Sequence, residues 1–297
     1  ELIRYKFEPL NPFSISSSNF ESINGEKFAA DRIGNIWLAT SSGLNQLQSN
    51  NSVRRFFKSN TDNILLSENI LSLYYSQSNI LLVGTDKGLN YYDLNNEQFT
   101  VEPKLKNIAI FGIDQVGGNI FIFTDSGIFR KNGNKIDLLT SSNDLGRVLA
   151  NGEELLFWKK GGERIIYNGK SIILNDAVND VSLTSDREYI ISTGSGLFSL
   201  SSKKLAATKS NFKVNKTQQV HLKSFYNDSR SKNIDAGYFK SFDFTEKDFW
   251  YIDSGLISKI SLDNGKNISF EHNPRNPNTF PKSASALVIY NESLWVG

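Results

Sequence analysis

Cysteine is absent from this 297-residue chain, so no disulfide, thiolate metal site or cysteine nucleophile can form. Its absence permits any compartment, the periplasm included. Methionine is absent as well, where a chain of this length would carry several. Only two histidines occur, His221 and His272. A metal centre wants several His, Cys or carboxylate ligands at fixed spacing, and no such cluster surrounds either one. Neither a metal nor a cofactor is expected. Charge of one sign is also lacking: 33 basic residues stand against 31 acidic ones, a formal net charge of +2. A nucleic-acid binder would carry a basic stripe. The nearest runs, Lys159-Lys160 and Lys203-Lys204, read as solvated turn residues. No apolar run approaches the roughly 18 residues of a membrane span. The chain opens without a signal segment and stops at Trp295-Val296-Gly297, in the middle of an apparent strand. It is therefore expected to be a mature piece of a larger protein.

What is present is a repeat. Asn35 to Asn45 reads NIWLATSSGLN: an apolar strand, Thr40, two polar residues, Gly43 and an apolar residue. Leu81 to Asn90 (LLVGTDKGLN), Asn119 to Ile128 (NIFIFTDSGI) and Tyr189 to Leu197 (YIISTGSGL) repeat it. Leu155 to Gly161 (LLFWKKG) is a weaker copy, Phe249 to Leu256 (FWYIDSGL) another, and Leu294 to Gly297 a shortened seventh. Six residues separate Trp37 from Gly43, Leu82 from Gly88, Phe121 from Gly127, Leu155 from Gly161 and Ile190 from Gly196. Only five separate Trp250 from Gly255, so one residue, for which a methionine would fit, is expected to be missing there. Each copy has the physics of a hairpin: an apolar run reads as a buried strand, and the glycine supplies the backbone freedom for the return.

The flanks repeat too. An apolar strand and a polar turn precede each copy, such as Ile70 to Tyr75 before Gln77-Ser78-Asn79. A second tight turn follows, such as Asn132-Gly133 or Asn168-Gly169, then an outer strand. The unit is a four-stranded antiparallel meander. Successive units step by 45, 39, 34, 35, 60 and 45 residues, mostly near the roughly 40–50 of a propeller blade. The longest step implies an insertion within Lys209 to Gly237. One such sheet cannot bury both faces alone, and a radial arrangement lets neighbours cover one another. The expected fold is therefore all-β: a single β-propeller domain over residues 1–297, of about seven four-stranded antiparallel blades. Glu1 to Phe7 is expected to be a strand that closes the ring. Trp37, Phe121 and Trp250 are expected to be buried core.

Chemistry is harder to find. No Gly-x-Ser-x-Gly elbow exists, and Gly117-Gly118 and Gly194-Ser195-Gly196 do not open helices, so a phosphate cradle is not expected. Asp86, Asp125 and Asp253 recur just after the repeated strand and could converge at one end of a channel, as a propeller enzyme would require. Aspartate also suits tight turns through its own backbone hydrogen bonds, and that is the preferred reading. No catalytic residue is assigned.

The copy from Gly34 to Asn45 resembles the repeat of the two-component regulator propeller family. Tyr5 to Ser16 and Phe270 to Pro281, with their Pro-x-Asn-Pro cores, look like that family's inter-blade linker; Phe57 to Ser67 is a degraded copy. The resemblance covers nearly the whole chain. It implies the periplasmic sensor region of a Bacteroides-type hybrid two-component histidine kinase, the ectodomain of an inner-membrane protein that responds to glycans or their breakdown products. It also implies that the rest of the sensor is a partner, with a homodimer in the full-length receptor. No active-site motif comes with the repeat. The competing readings are a propeller enzyme (lyase or glycosidase) and an interaction scaffold, whose tryptophan–aspartate or kelch signatures are missing.

Topology places the glycine turns and the inter-blade linkers at one end. Loops on a rigid scaffold are where binding residues usually sit. The expected ligand-binding residues are therefore Ser41, Ser42, Asp86, Lys87, Asp125, Ser126, Lys159, Lys160 and Ser195, whose mixed polarity suits an oligosaccharide.

Overall fold

A computed structural model describes residues 5–18, 27–58, 65–141, 145–151, 153–174, 176–183, 188–194, 196–201, 212–213, 239–245, 247–253, 255–261, 266–276, 279–280, 282, 284, 287–290 and 293–296. The chain is an all-β propeller. It divides into two compact units, Arg4–Val148 and, with Glu1–Ile3, Leu149–Gly297.

The first unit holds three sheets. Each is a four-stranded antiparallel meander in chain order. The first blade has β1 Phe28–Ala30, β2 Ile36–Thr40, β3 Gly43–Leu47 and β4 Val53–Phe56; the second has β5 Ile70–Tyr75, β6 Ile80–Thr85, β7 Gly88–Asp93 and β8 Gln98–Val101. The third has β9 Ile110–Val116, β10 Asn119–Thr124, β11 Gly127–Asn132 and β12 Lys135–Thr140.

The other unit is less regular. The fourth sheet has β13 Arg147–Asn151, β14 Glu154–Trp158, β15 Arg164–Tyr167 and β16 Lys170–Ile173; the fifth has β17 Val178–Leu183, β18 Glu188–Thr193 and β19 Gly196–Ser201. β20, Phe212–Lys213, pairs in parallel with Ile172 and Ile173 and makes the fourth sheet five-stranded. The sixth sheet has β21 Phe239–Phe244, β22 Asp248–Asp253, β23 Leu256–Ser261 and β24 Asn267–Phe270. β25 Leu287–Tyr290 and β26 Ser293–Val296 form a two-stranded sheet.

Among the described residues there are thus six blades, not the expected seven. The seventh repeat contributes a two-stranded hairpin, and two strands are too few to present both faces of a blade. Within the expected insertion only Phe212 and Lys213 are described. The expected closing strand is not seen either: Tyr5 to Phe7 take no strand conformation, and residues 1–4 lie outside the described residues.

The buried strands form because their apolar runs face neighbours on both sides. In β2 all five residues are buried, and in β6 five of six. Trp37 and Phe121 are buried as expected. Trp37 packs at 5.4 Å from the Tyr92 ring and donates its indole N–H to Asp31 Oδ2 at 3.1 Å. Trp250 is only half-buried, against expectation: it stacks on Phe270 at 5.5 Å and lies under the Lys259 ammonium. A ring closed over by one outer-strand side chain keeps an exposed edge.

Inner strands share a device that alternation does not predict. The register shifts between Ile70 and Ser72, Val178 and Asp180, and Phe239 and Ser241, and opposite Phe123 and Thr124 in β9. Each shift is a β-bulge, which frees a ladder carbonyl for another partner.

Candidate functional site

The conserved spacing of the repeat makes one local structure three times in the first unit. Thr40 pairs with Gly43, Thr85 with Gly88 and Thr124 with Gly127, leaving two-residue loops. The threonine hydroxyls, fully buried or nearly so, donate to the glycine carbonyls at 2.8, 2.9 and 2.7 Å. The same oxygens accept the amides of Ser42, Lys87 and Ser126 at 3.2, 3.0 and 3.1 Å. Serine could make these bonds, but threonine also suits a buried strand end.

The glycines have φ near +130°. A Cβ at Gly43 would lie 2.8 Å from the Phe56 carbonyl, at Gly88 2.7 Å from that of Leu105 and at Gly127 2.2 Å from that of Thr140. The turn is therefore glycine for two reasons, its torsion and the chain that leaves the outer strand and passes against it. Linkers and turns do meet at this end. The Asn107 amide donates to the Lys87 carbonyl at 2.8 Å, and the Asp86 amide to that of Asn69 at 3.3 Å. Buried Asn45 accepts the Ser16 amide at 2.8 Å, and buried Asn90 that of Leu66 at 3.0 Å. These two asparagines follow directly from the repeat.

The two Pro-x-Asn-Pro linkers also fold alike, each within its own unit. The Asn11 amide donates to the Glu8 carbonyl, and that of Asn276 to Asn273, both at 3.0 Å. The Ser14 and Thr279 hydroxyls accept the amides of Glu8 and Asn273 at 2.9 and 3.0 Å.

The expected site residues can be placed on this frame. Ser41, Lys87, Asp125 and Ser126 are exposed at loop tips, with Ser42 and Asp86 half-buried. Ser126 donates to Asp125 Oδ1 at 3.0 Å. Asp86 differs: its Oδ1 is buried and has no hydrogen-bond partner.

In the other unit, half-buried Lys159 and Lys160 sit on a longer connection, because β14 ends at Trp158 and β15 begins only at Arg164. That connection is held by the Gly161 amide on the Val178 carbonyl at 2.7 Å and the Val178 amide on that of Gly162 at 2.8 Å. Ser195 lies outside the described residues.

One expectation about the sixth copy needs correcting. Asp253 pairs with Leu256, so it occupies the threonine position and not that of Asp86 or Asp125. The loop is again two residues, Ser254 and Gly255, with φ +83° at Gly255. The glycine stands one place earlier than in the other copies.

His272 sits in the linker, its Nδ1 2.9 Å from the Phe280 carbonyl, and His221 lies outside the described residues. Among the described residues no group of three or more His, Cys, Asp or Glu could hold a metal ion.

One buried group was missed from sequence: Lys27, 5% exposed, whose Nζ donates to the Ile70 carbonyl at 2.5 Å. Burial pulls its pKa down to about 8.

No family model matches the chain, and no curated protein matches it. Solved structures do. The extracellular domain of a hybrid two-component system from B. thetaiotaomicron superposes over 95% of this chain and 39% of its own, with TM-score 0.69 and 16% identity. A second such domain from that organism gives 93%, 39%, 0.63 and 13%. Virginiamycin B lyase from Staphylococcus aureus gives 94% of this chain and 92% of its own, with TM-score 0.60 and 10% identity. At these identities the likeness establishes the propeller fold. The chain spans about two fifths of the length of the two sensor domains. Among the described residues no helix is long and apolar enough to cross a membrane.

Proposed function

We propose that this chain is the ligand-sensing propeller of a periplasmic receptor in a hybrid two-component system, and that it responds to glycan breakdown products. The observation that carries the reading is the superposition on the extracellular domain of such a system over 95% of the chain. The turn end suits the task. Three two-residue loops present hydroxyl, carboxylate and ammonium groups on a scaffold fixed by buried threonine and asparagine side chains. Such groups recognise hydroxyl-rich ligands without moving the backbone.

The chain itself performs no turnover; its role is binding, and the remainder of the receptor, as a homodimer, carries the signal onward. The test is calorimetric titration with size-graded oligosaccharides against the chain and its Asp86→Lys and Lys159→Glu variants. Saturable binding weakened by either substitution supports the reading. Binding unchanged in both rejects the placement, and cleavage of a bound glycan rejects the absence of catalysis.

A further inference from the structure

Lys27 carries a charge that its place in the fold does not require. The repeat shows what this position does. Lys27 stands opposite Ala39, Ser72 opposite Gly84 and Gly112 opposite Phe123. Those three partners each lie two residues beyond Trp37, Leu82 and Phe121. In the second blade the Ser72 hydroxyl donates to the Ile110 carbonyl at 3.0 Å. In the third, Gly112 lets two backbones meet: a Cβ there would lie 2.4 Å from the Gly146 carbonyl. A hydroxyl or bare backbone thus makes the joint to the following blade. Lys27 makes it by donating to Ile70, at the bulge of β5.

An ammonium has three donors, and Ile70 takes one. Among the described residues no carboxylate lies within ion-pairing distance of Lys27. Burying an unpaired cation is unfavourable, which is why the group titrates early. The position is at the turn end, since the Ala39 that pairs with Lys27 precedes Thr40. On the same junction Asp86, bound through its amide to the Asn69 carbonyl, keeps a buried Oδ1 without a partner. Unused donors and an unused acceptor are therefore anchored on consecutive residues, Asn69 and Ile70.

We infer that Lys27 is an anion-binding residue, which takes the carboxylate or sulfate of a ligand at the turn end of the first blade while Asp86 accepts a hydroxyl of the same molecule. The inference rests on the sensing reading above and narrows its ligand to an acidic saccharide.

The test is calorimetry of the whole chain with glucuronate, inorganic sulfate and glucose at neutral pH, for the wild type and Lys27→Ser. Serine copies the joint of the second blade, so the variant retains the fold. Glucuronate and sulfate should bind the wild type and lose about tenfold or more in affinity in Lys27→Ser, as expected for removal of a charge-assisted contact. Glucose should not distinguish the two proteins. Independently of any variant, sulfate should raise the pH at which the Lys27 Nζ resonance titrates. Equal glucuronate affinity in both proteins, or an unmoved Lys27 titration, overturns the inference. Failure of glucuronate while a neutral oligosaccharide binds both proteins alike overturns it and leaves the sensing reading standing. Failure of every saccharide with the wild type overturns both.

Discussion

The three blades of Arg4–Val148 and the fourth and fifth sheets of the other unit solve the same folding problem differently. In the first group a buried threonine, a two-residue loop and a glycine recur without variation, and each outer strand returns under the glycine. In the fourth sheet the loop lengthens to include Lys159 and Lys160, and Gly161 faces open space: a Cβ there would meet nothing within 4 Å. In the fifth sheet Thr193 again pairs with Gly196, but its hydroxyl donates to Asp176 Oδ2 at 3.0 Å. Glycine at one repeat position thus answers to two separate constraints. Where a neighbouring carbonyl presses on it, the position is fixed; where only the torsion matters, the loop is free to lengthen.

Substituting the glycines breaks that comparison most sharply. Gly127→Ala combines a strained torsion with a clash and should lose about 3 kcal/mol or more in urea unfolding. Gly161→Ala, at φ +79° with no neighbour, should lose only about 1 kcal/mol. Equal losses would show that the passing strand contributes nothing.

Lys27→Ser has the next largest effect, and it is stabilising. The lysine is depressed from 10.5 to about 8 in the folded chain, so between those values the unfolded state holds more protons. Wild-type stability therefore rises as pH climbs from about 8 to 10.5, and the penalty is fully present below 8. That penalty is about 3 kcal/mol, offset in part by the packing lost with the lysine stem. A gain of about 2 kcal/mol is expected at pH 7, shrinking towards alkaline pH in chemical unfolding. A gain independent of pH would remove charge as its cause.

Thr85→Val deletes the turn-closing hydroxyl and leaves the Gly88 carbonyl and Lys87 amide without that partner, at about 1–2 kcal/mol by the same measurement. Arg54→Ala removes a bidentate pair to Glu97, but both partners are about half exposed, and the loss should stay below about 1 kcal/mol. If the two substitutions reverse in order, surface pairing, and not the turn, organises the first unit.

Much of the first group is legible in sequence because spacing carries it. NIWLATSSGLN contains the buried strand, the closing threonine, the glycine and the anchoring asparagine in one stretch, and LLVGTDKGLN repeats them at the same intervals. What spacing does not carry stays hidden. Lys27, Ser72 and Gly112 do one job with three unrelated side chains, so no residue type marks the joint. Their equivalence appears only when cross-strand partners are counted. The bulges are hidden for the same reason, since Leu71 and Phe111 continue apolar runs that read as plain alternation. The sixth copy misleads because its glycine moved by one place while the loop kept its length. The count of seven fails where pattern outruns strands: Leu294 to Gly297 matches the motif, yet β25 and β26 stand as a pair. The proposed ligand-binding residues rest on topology alone, because exposed loop tips obey no packing rule that a sequence would record.

The most direct test of a sensing face at the glycine turns is a crystal of this chain soaked with an oligosaccharide that titration has shown to bind. Density is expected against the Ser41-Ser42, Asp86-Lys87 and Asp125-Ser126 loops, with polar contacts from their side chains. Density confined to the opposite ends of the strands, around the Asn79 and Gly117 turns, would contradict it.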